Sequence, residues 1–161
     1  MTGQAGRDGS GKDAAGFIIR QASAGQASVA AALAVRLWPG HSQAELTAEF
    51  AQLLTSDEAA VFLCLDQDMA VGFAQCQLRH DYVEGTESSP VGYLEGIYVE
   101  ETHRRRGAAR LLLDACQRWA KERGCAELAS DCELTNTDSQ HFHEAVGFRE
   151  ANRIVAYVRK L

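Results

Sequence analysis

No stretch of the 161-residue chain approaches the length of an apolar membrane span, which takes about 20 consecutive apolar residues. The five cysteines, Cys64, Cys76, Cys116, Cys125 and Cys132, are odd in number and lack metal-type spacing. They read as small buried hydrophobes, reduced in a cytoplasmic protein, and no His/Cys/Asp grouping suggests a metal. There is no broad basic surface either: 16 Lys and Arg stand against 22 Asp and Glu, a formal charge of −6. A phosphate-backbone binder needs such a surface, so nucleic acid is not an expected partner and a cationic one fits better. No internal repeat appears.

What remains is the composition of one small α/β domain. With 46% hydrophobic residues the chain can bury one sizeable core, and its length is that of a single domain. Residues 1–16 are polar, rich in Gly and without aromatics; Arg7 and Lys12 cancel Asp8 and Asp13. They have neither periodicity nor the apolar core of a signal peptide and are expected to be a disordered extension to a domain over 17–161.

Phe17 to Arg20 reads as a first strand. Ser23-x-x-Gln26 and Ser42-x-x-Glu45 are capping-box patterns opening two helices, separated by Trp38-Pro39-Gly40. Val61–Leu65 and Ala70–Leu78 read as a hairpin, Arg79 to Pro90 as a long polar loop, and Tyr93 to Val99 as the next strand. A helix to Arg123 with Gly124 behind it, a strand over 126–130, a helix from Asn136 or Thr137 to Gly147, and a final strand Ile154–Val158 complete the pattern. This order predicts a mixed, mostly antiparallel sheet flanked by helices.

Between the Tyr93–Val99 strand and its helix lies His103-Arg104-Arg105-Arg106-Gly107-Ala108-Ala109. A helix start carries unpaired N–H groups and the positive end of the dipole, so it holds a phosphate with little side-chain help. Gly107, Ala108 and Ala109 let an anion reach the backbone, and Arg104, Arg105 and Arg106 add charge and forked donors. The Lys-Ser/Thr of a nucleotide-hydrolysing P-loop does not follow the glycine. A phosphorylated ligand is expected here.

Arg104-x-x-Gly107-x-Ala109 resembles the acetyl-CoA signature of the GNAT acetyltransferases. With Trp38-Pro39-Gly40-His41, the Arg79–Pro90 stretch leading into Leu94-Glu95-Gly96-Ile97, Ala129-Ser130-Asp131, Asn136-Thr137 and Gly147-Phe148, the chain from about Ile18 onward resembles the aminoglycoside 6'-N-acetyltransferases. The resemblance implies a sheet splayed between two strands, acetyl-CoA as cosubstrate, an aminoglycoside as the cationic acceptor, direct amine attack in a ternary complex, and a homodimer. It implies that the Ile97, Tyr98 and Val99 amides serve the pantetheine arm and carbonyl, with Asn136 on that arm. Trp38, His41, Tyr82, Glu95 and Asp131 become substrate contacts.

The residues themselves leave choices open. Glu95, flanked by Leu94 and Ile97, is either the cation-binding carboxylate and base or half of a structural ion pair. Gly96 marks a bulge or merely weakens a strand. Trp38 contacts substrate or closes a helix on the core; His41 contacts substrate or caps the next helix; Asn136 binds cofactor, caps a helix, or both. Where many GNAT enzymes carry an acid tyrosine this chain has His143, a candidate for protonating the thiolate, with water as the alternative. Asn152 stands where some relatives carry an acidic substrate contact. The competing functions are acetylation of another amine, a polyamine or protein N-terminus, and a non-catalytic CoA-binding module.

Overall fold

Runs rich in Val, Ile, Leu and Phe want pairing partners on both edges. The computed structural model, which describes residues 16–161, assembles them into one five-stranded sheet in sequence order. The strands are β1 (Phe17–Gln21), β2 (Ala59–Asp66), β3 (Met69–Arg79), β4 (Val91–Val99) and β5 (Leu128–Ser130). The first four pair antiparallel with their neighbours, and β5 runs parallel to β4. The expectation of a disordered extension falls, apart from Gly16, outside the described residues.

Helices cover both faces. On one, α1 (Ala27–Leu37) and α2 (Gln43–Leu53) pack Ala30, Ala34, Leu46 and Phe50 against Val61, Leu63 and Phe73. On the other, α3 (Ala108–Glu122) lays Leu112, Cys116 and Trp119 on Phe62, Cys64, Val71 and Ala74. Alternate residues of β2 thus enter opposite cores, which explains why it reads as an unbroken apolar run. The last helix is α4 (Thr137–Ala145).

Both capping boxes form. The Ser23 amide donates to the Gln26 side chain at 2.9 Å ahead of α1, and Ser42 and Glu45 exchange bonds at the start of α2. Ser42, and not His41, is therefore the cap. Gly124, at φ +83°, follows the last residues of α3 in the left-handed region that favours glycine.

Two expectations need correction. The strand expected over 126–130 pairs only through Leu128–Ser130. The final strand expected over Ile154–Val158 is absent: residues 149–161 are exposed and form no helix or strand. A strand exists only through its ladder, and the sheet order ends at β5 with no place taken by this segment.

The sheet edge that carries the site is held by a close approach. A Cβ added at Gly92 of β4 would lie 2.7 Å from the Ala120 Cβ of α3 and 2.9 Å from Leu128 of β5. The Leu128 methyl can swing aside, but the Ala120 contact cannot yield without moving an element. Gly92→Ala is expected to cost about 1–3 kcal/mol, the usual price of overpacking, read as a lower urea midpoint at unchanged slope.

Candidate functional site

The turn before α3 is built for an anion by its backbone. Arg105 (φ +60°) and Gly107 (φ +87°) both adopt left-handed conformations, and such turns gather successive N–H groups into a concavity. Gly107 is the N-cap of α3 and has no side-chain cap bond, so the first-turn amides, beginning at Ala108 and Ala109, have no capping side chain at Gly107 to donate to. Nothing lies within 4 Å of where a Gly107 Cβ would be. These features fit the pyrophosphate of CoA. The arginines are less free than their sequence suggests. Arg104 donates to the Val99 carbonyl at 2.9 Å and stacks on Tyr98. Arg106 stands over Phe17 and lies 3.5 Å from Asp66, which also faces His103 at 3.4 Å. Arg105 is exposed.

A register slip shapes the neighbouring strand. Gln75 of β3 lies opposite Gly96 and Cys76 opposite Leu94, so Glu95 is the extra residue of a bulge. Beyond Leu94, paired with Ser130, β4 has no partner on its β5 side. The Glu100 amide donates to the Val71 carbonyl at 2.8 Å. By the alternation of an antiparallel ladder, the Tyr98 N–H then faces β3, while those of Ile97 and Val99 face the open side. Of the three amides expected on the pantetheine arm, two are so directed. Gly96 owes its lack of a side chain to packing: a Cβ there would lie 2.6 Å from the Trp38 indole and 2.9 Å from Leu37. Trp38 also meets Phe73 edge-on at 6.0 Å.

The carboxylates are not bare. Glu95 takes bonds from Arg79 at 2.8 and 3.1 Å through Nη2 and 3.2 Å through Nε. The Arg79 guanidinium lies 3.4 Å over the centre of the Tyr93 ring. Tyr93 donates its hydroxyl to Asp131, and burial, reinforced by that carboxylate, pushes the phenol far above its ordinary value. It stays a donor at any assay pH. Glu95, Arg79, Tyr93 and Asp131 form one chain of contacts in which the cation meets Glu95 and the tyrosine hydroxyl meets Asp131.

His143 on α4 sits between the rings of Phe142 and Phe148. Its Nδ1 is 2.7 Å from the Ser139 carbonyl and its Nε2 2.9 Å from the Ser130 hydroxyl, which also reaches the Leu94 carbonyl at 3.1 Å. A carbonyl only accepts, so Nδ1 carries a proton. Asn136 caps α4, its Oδ1 accepting from the Ser139 amide at 3.0 Å. Tyr82 is exposed and its hydroxyl meets Glu84 at 3.2 Å. His41 is also exposed. Its amide donates to the Trp38 carbonyl at 3.1 Å. The loop bearing Tyr82 is tied at both ends: Glu127 accepts from the Glu87 amide and Ser88, and Asn152 donates to Glu84.

Residues 29–148 match the model of the acetyltransferase (GNAT) family. The chain belongs to that family. Among GNAT relatives, the aminoglycoside N(6')-acetyltransferase type 1 of Serratia marcescens is 47% identical over 131 residues, 81% of this chain and 90% of that one. The enzyme of the same name from Salmonella typhimurium is 44% identical over 125 residues, 78% and 86% of the two chains. Of solved structures, AAC(6')-Iy bound to the bisubstrate analogue CoA-S-monomethyl-acetylneamine has a TM-score of 0.86 at 41% identity, covering 90% of this chain and 99% of its own. AAC(6')-Ih from Acinetobacter baumannii has a TM-score of 0.85 at 37% identity, covering 91% and 99%.

Three participants in this GNAT site escape a reading of the sequence: Arg79, Tyr93 and Ser130. Arg79 reads as the first residue of a loop, and Tyr93 as an ordinary strand aromatic. Only the β3–β4 and β4–β5 registers bring them to Glu95, Asp131 and His143, and no spacing rule crosses a bulge. The Trp38 seat is open to test. Gly96→Ala is expected to cost about 1–3 kcal/mol through the indole clash. The same substitution in a Trp38→Ala background should cost less, because the nearest obstructing atoms, those of the indole, are gone and only the end of Leu37 remains. Equal costs in a denaturation cycle would refute the seat.

Proposed function

We infer that the protein transfers the acetyl group of acetyl-CoA to the 6'-amino group of aminoglycoside antibiotics and so confers resistance to them. The observation that carries this reading is the continuity of the site: an uncapped helix N-terminus, an open β4 edge and a paired acidic cluster follow one another along the same strand and turn. Relatives named for this activity cover nearly the same length of chain.

Acetyl-CoA supplies an activated thioester; the chain supplies position and charge. Amides at the start of α3 hold the diphosphate. The outward Ile97 and Val99 N–H groups line the splay and serve the acyl arm, offering fixed dipoles where carbonyl charge develops. Glu95 and Asp131 attract the ammonium groups of the amino sugar, and Glu95 takes the proton of the attacking amine directly or through water. Trp38, His41 and Tyr82 offer ring faces and polar edges to the sugar. His143 is the candidate acid for the thiolate. The lone Ser130 proton goes either to the Leu94 carbonyl or to Nε2, so the pair suits both the charged and the neutral ring.

Attack is direct. Four of the five cysteines are buried, and burial, with the Asp66 charge second, pushes the Cys64 thiol up to about 11. The hydrogen bond with Cys76 and then burial raise the Cys116 thiol. Thiols held this way are poor nucleophiles. They also suit the reducing cytoplasm, where acetyl-CoA is made. Among the described residues no helix is long and apolar enough to cross a membrane, and no group of side chains forms a metal site.

The working unit is a homodimer. Ile154 and Val155 are each 72% exposed and Tyr157 92%, an apolar run without cover in this chain, and β5 ends the sheet with one edge unpaired. Exposed strand-forming segments of this kind are completed by a second copy.

Incubation with acetyl-CoA and kanamycin is expected to release free thiol and add one acetyl group to the drug, whereas aminoglycosides with a 6'-hydroxyl should give neither signal. A higher kcat/KM for a polyamine or a peptide N-terminus would replace the reading with acetylation of another amine. The full chain is expected to sediment as a dimer, and truncation after Arg153, which keeps the Asn152–Glu84 bond, as a monomer.

A further inference from the structure

Arg79 is a cation placed where the proposed substrate brings its own. The guanidinium engages both oxygens of Glu95, with its nearest contact at 2.8 Å. It lies flat on the Tyr93 ring at 3.4 Å, and that tyrosine donates to Asp131. Its edge therefore satisfies one carboxylate while its face covers the aromatic that leads to the other. Those are the two kinds of contact an ammonium-bearing sugar makes, charge to carboxylate and ring face to aromatic. The site carries its own substitute for the ligand.

The position of Arg79 makes it removable. It is the last residue of β3, followed by the polar loop, and its side chain is 42% exposed against 21% for Glu95. A guanidinium at a strand end on a long flexible stem turns into water at little cost, since half-exposed ion pairs contribute little net stability. Without it Glu95, held in a bulge between Leu94 and Gly96, would lose its only hydrogen-bonding partner among the described residues, and half-buried carboxylates without partners are costly.

We propose that Arg79 is a specificity-determining residue, a resident counter-ion that occupies the ammonium seat at Glu95 in the free enzyme and is displaced by the aminoglycoside. This rests on the proposed aminoglycoside reaction and adds to it a selection rule. A lone ammonium must compete with a tethered, bidentate guanidinium and fares poorly. A polycation with several ammoniums and a sugar face to lay on the freed Tyr93 ring competes well. The Glu95 seat discriminates against simple monoamines because its charge is already met by Arg79.

The test compares wild type with Arg79→Ala and Arg79→Gln in steady-state kinetics with kanamycin and acetyl-CoA. Removal of the competitor is expected to lower the kanamycin KM about two- to tenfold at low ionic strength, the gain shrinking towards unity at high salt. The acetyl-CoA KM should stay within about twofold, because the diphosphate seat lies on another element. A monoamine acceptor should gain proportionally more than kanamycin. Calorimetric titration of kanamycin into the CoA-loaded protein should show the same gain, and Glu95→Gln should abolish it, a coupling that a structural role for Arg79 would not produce. A kanamycin KM that is unchanged or raised in both variants, with wild-type turnover intact, overturns the inference and leaves the proposed reaction standing. Wild type that acetylates no aminoglycoside overturns the reaction itself. If both variants fail to fold, the wild-type complex with CoA and kanamycin decides: Arg79 turned away from Glu95 supports displacement, and Arg79 still bidentate on Glu95 refutes it.

Discussion

The site depends on one extra residue in β4. Without the slip at Glu95, β4 would continue in step with β3 and its alternation would run unbroken from Val91 to Val99. The bulge does two things at once. It bends and twists the strand where β5 ends at Ser130, so the two diverge and leave amides on the open side. It also turns out a carboxylate that regular pairing would have placed against one of the cores. Trp38 fixes the bend from behind, since its ring fills the space a side chain at Gly96 would need. The outward Ile97 and Val99 amides and the Glu95 carboxylate therefore share a single structural cause.

The arginine run gains a different meaning beside this strand. Arg104 is tied to Val99 and Tyr98, and Arg106 to Phe17 and Asp66, so two of the three guanidiniums fasten the turn to β4, β1 and β2. The anion seat is then chiefly backbone: two left-handed residues and an uncapped helix start. Rigid placement of N–H groups matters more here than mobile charge, because dipoles fixed before binding need no reorganisation. This division of labour agrees with the acidic net charge of −6. A short basic cluster largely consumed by internal contacts leaves the domain attractive to cations.

Local chemistry was legible and long-range registry was not. Ser42 with Glu45, the hairpin of β2 and β3, the helix after Gly107 and the left-handed Gly124 all follow from residues a few positions apart, and each formed as its pattern predicts. The acidic pocket did not follow so directly. Glu95 and Asp131 are recognisable as carboxylates from neighbouring strands, but the partners that hold them in the fold, Arg79 and Tyr93, arrive through pairings 16 and 38 residues apart. The C-terminal run fails for a related reason. Ile154 to Val158 has strand composition, yet composition states only a demand for a partner, and the described residues do not supply one.

Electrostatics explains why such a pocket keeps a cation at hand. A carboxylate half-removed from water loses solvation that must be returned by hydrogen bonds or charge, and two of them near one tyrosine would also repel each other. In the free enzyme Arg79 returns that solvation to Glu95 and the Tyr93 hydroxyl returns it to Asp131. The exposed part of the ion pair is worth only about 0–1 kcal/mol, enough to keep the site ordered and too little to resist a ligand that brings several charges. The four groups thus carry one net negative charge at rest, with the Glu95 carboxylate met by the guanidinium and Asp131 by a neutral hydroxyl. Affinity for polycations and stability of the empty site come from the same two carboxylates, and the guanidinium at the end of β3 allows both.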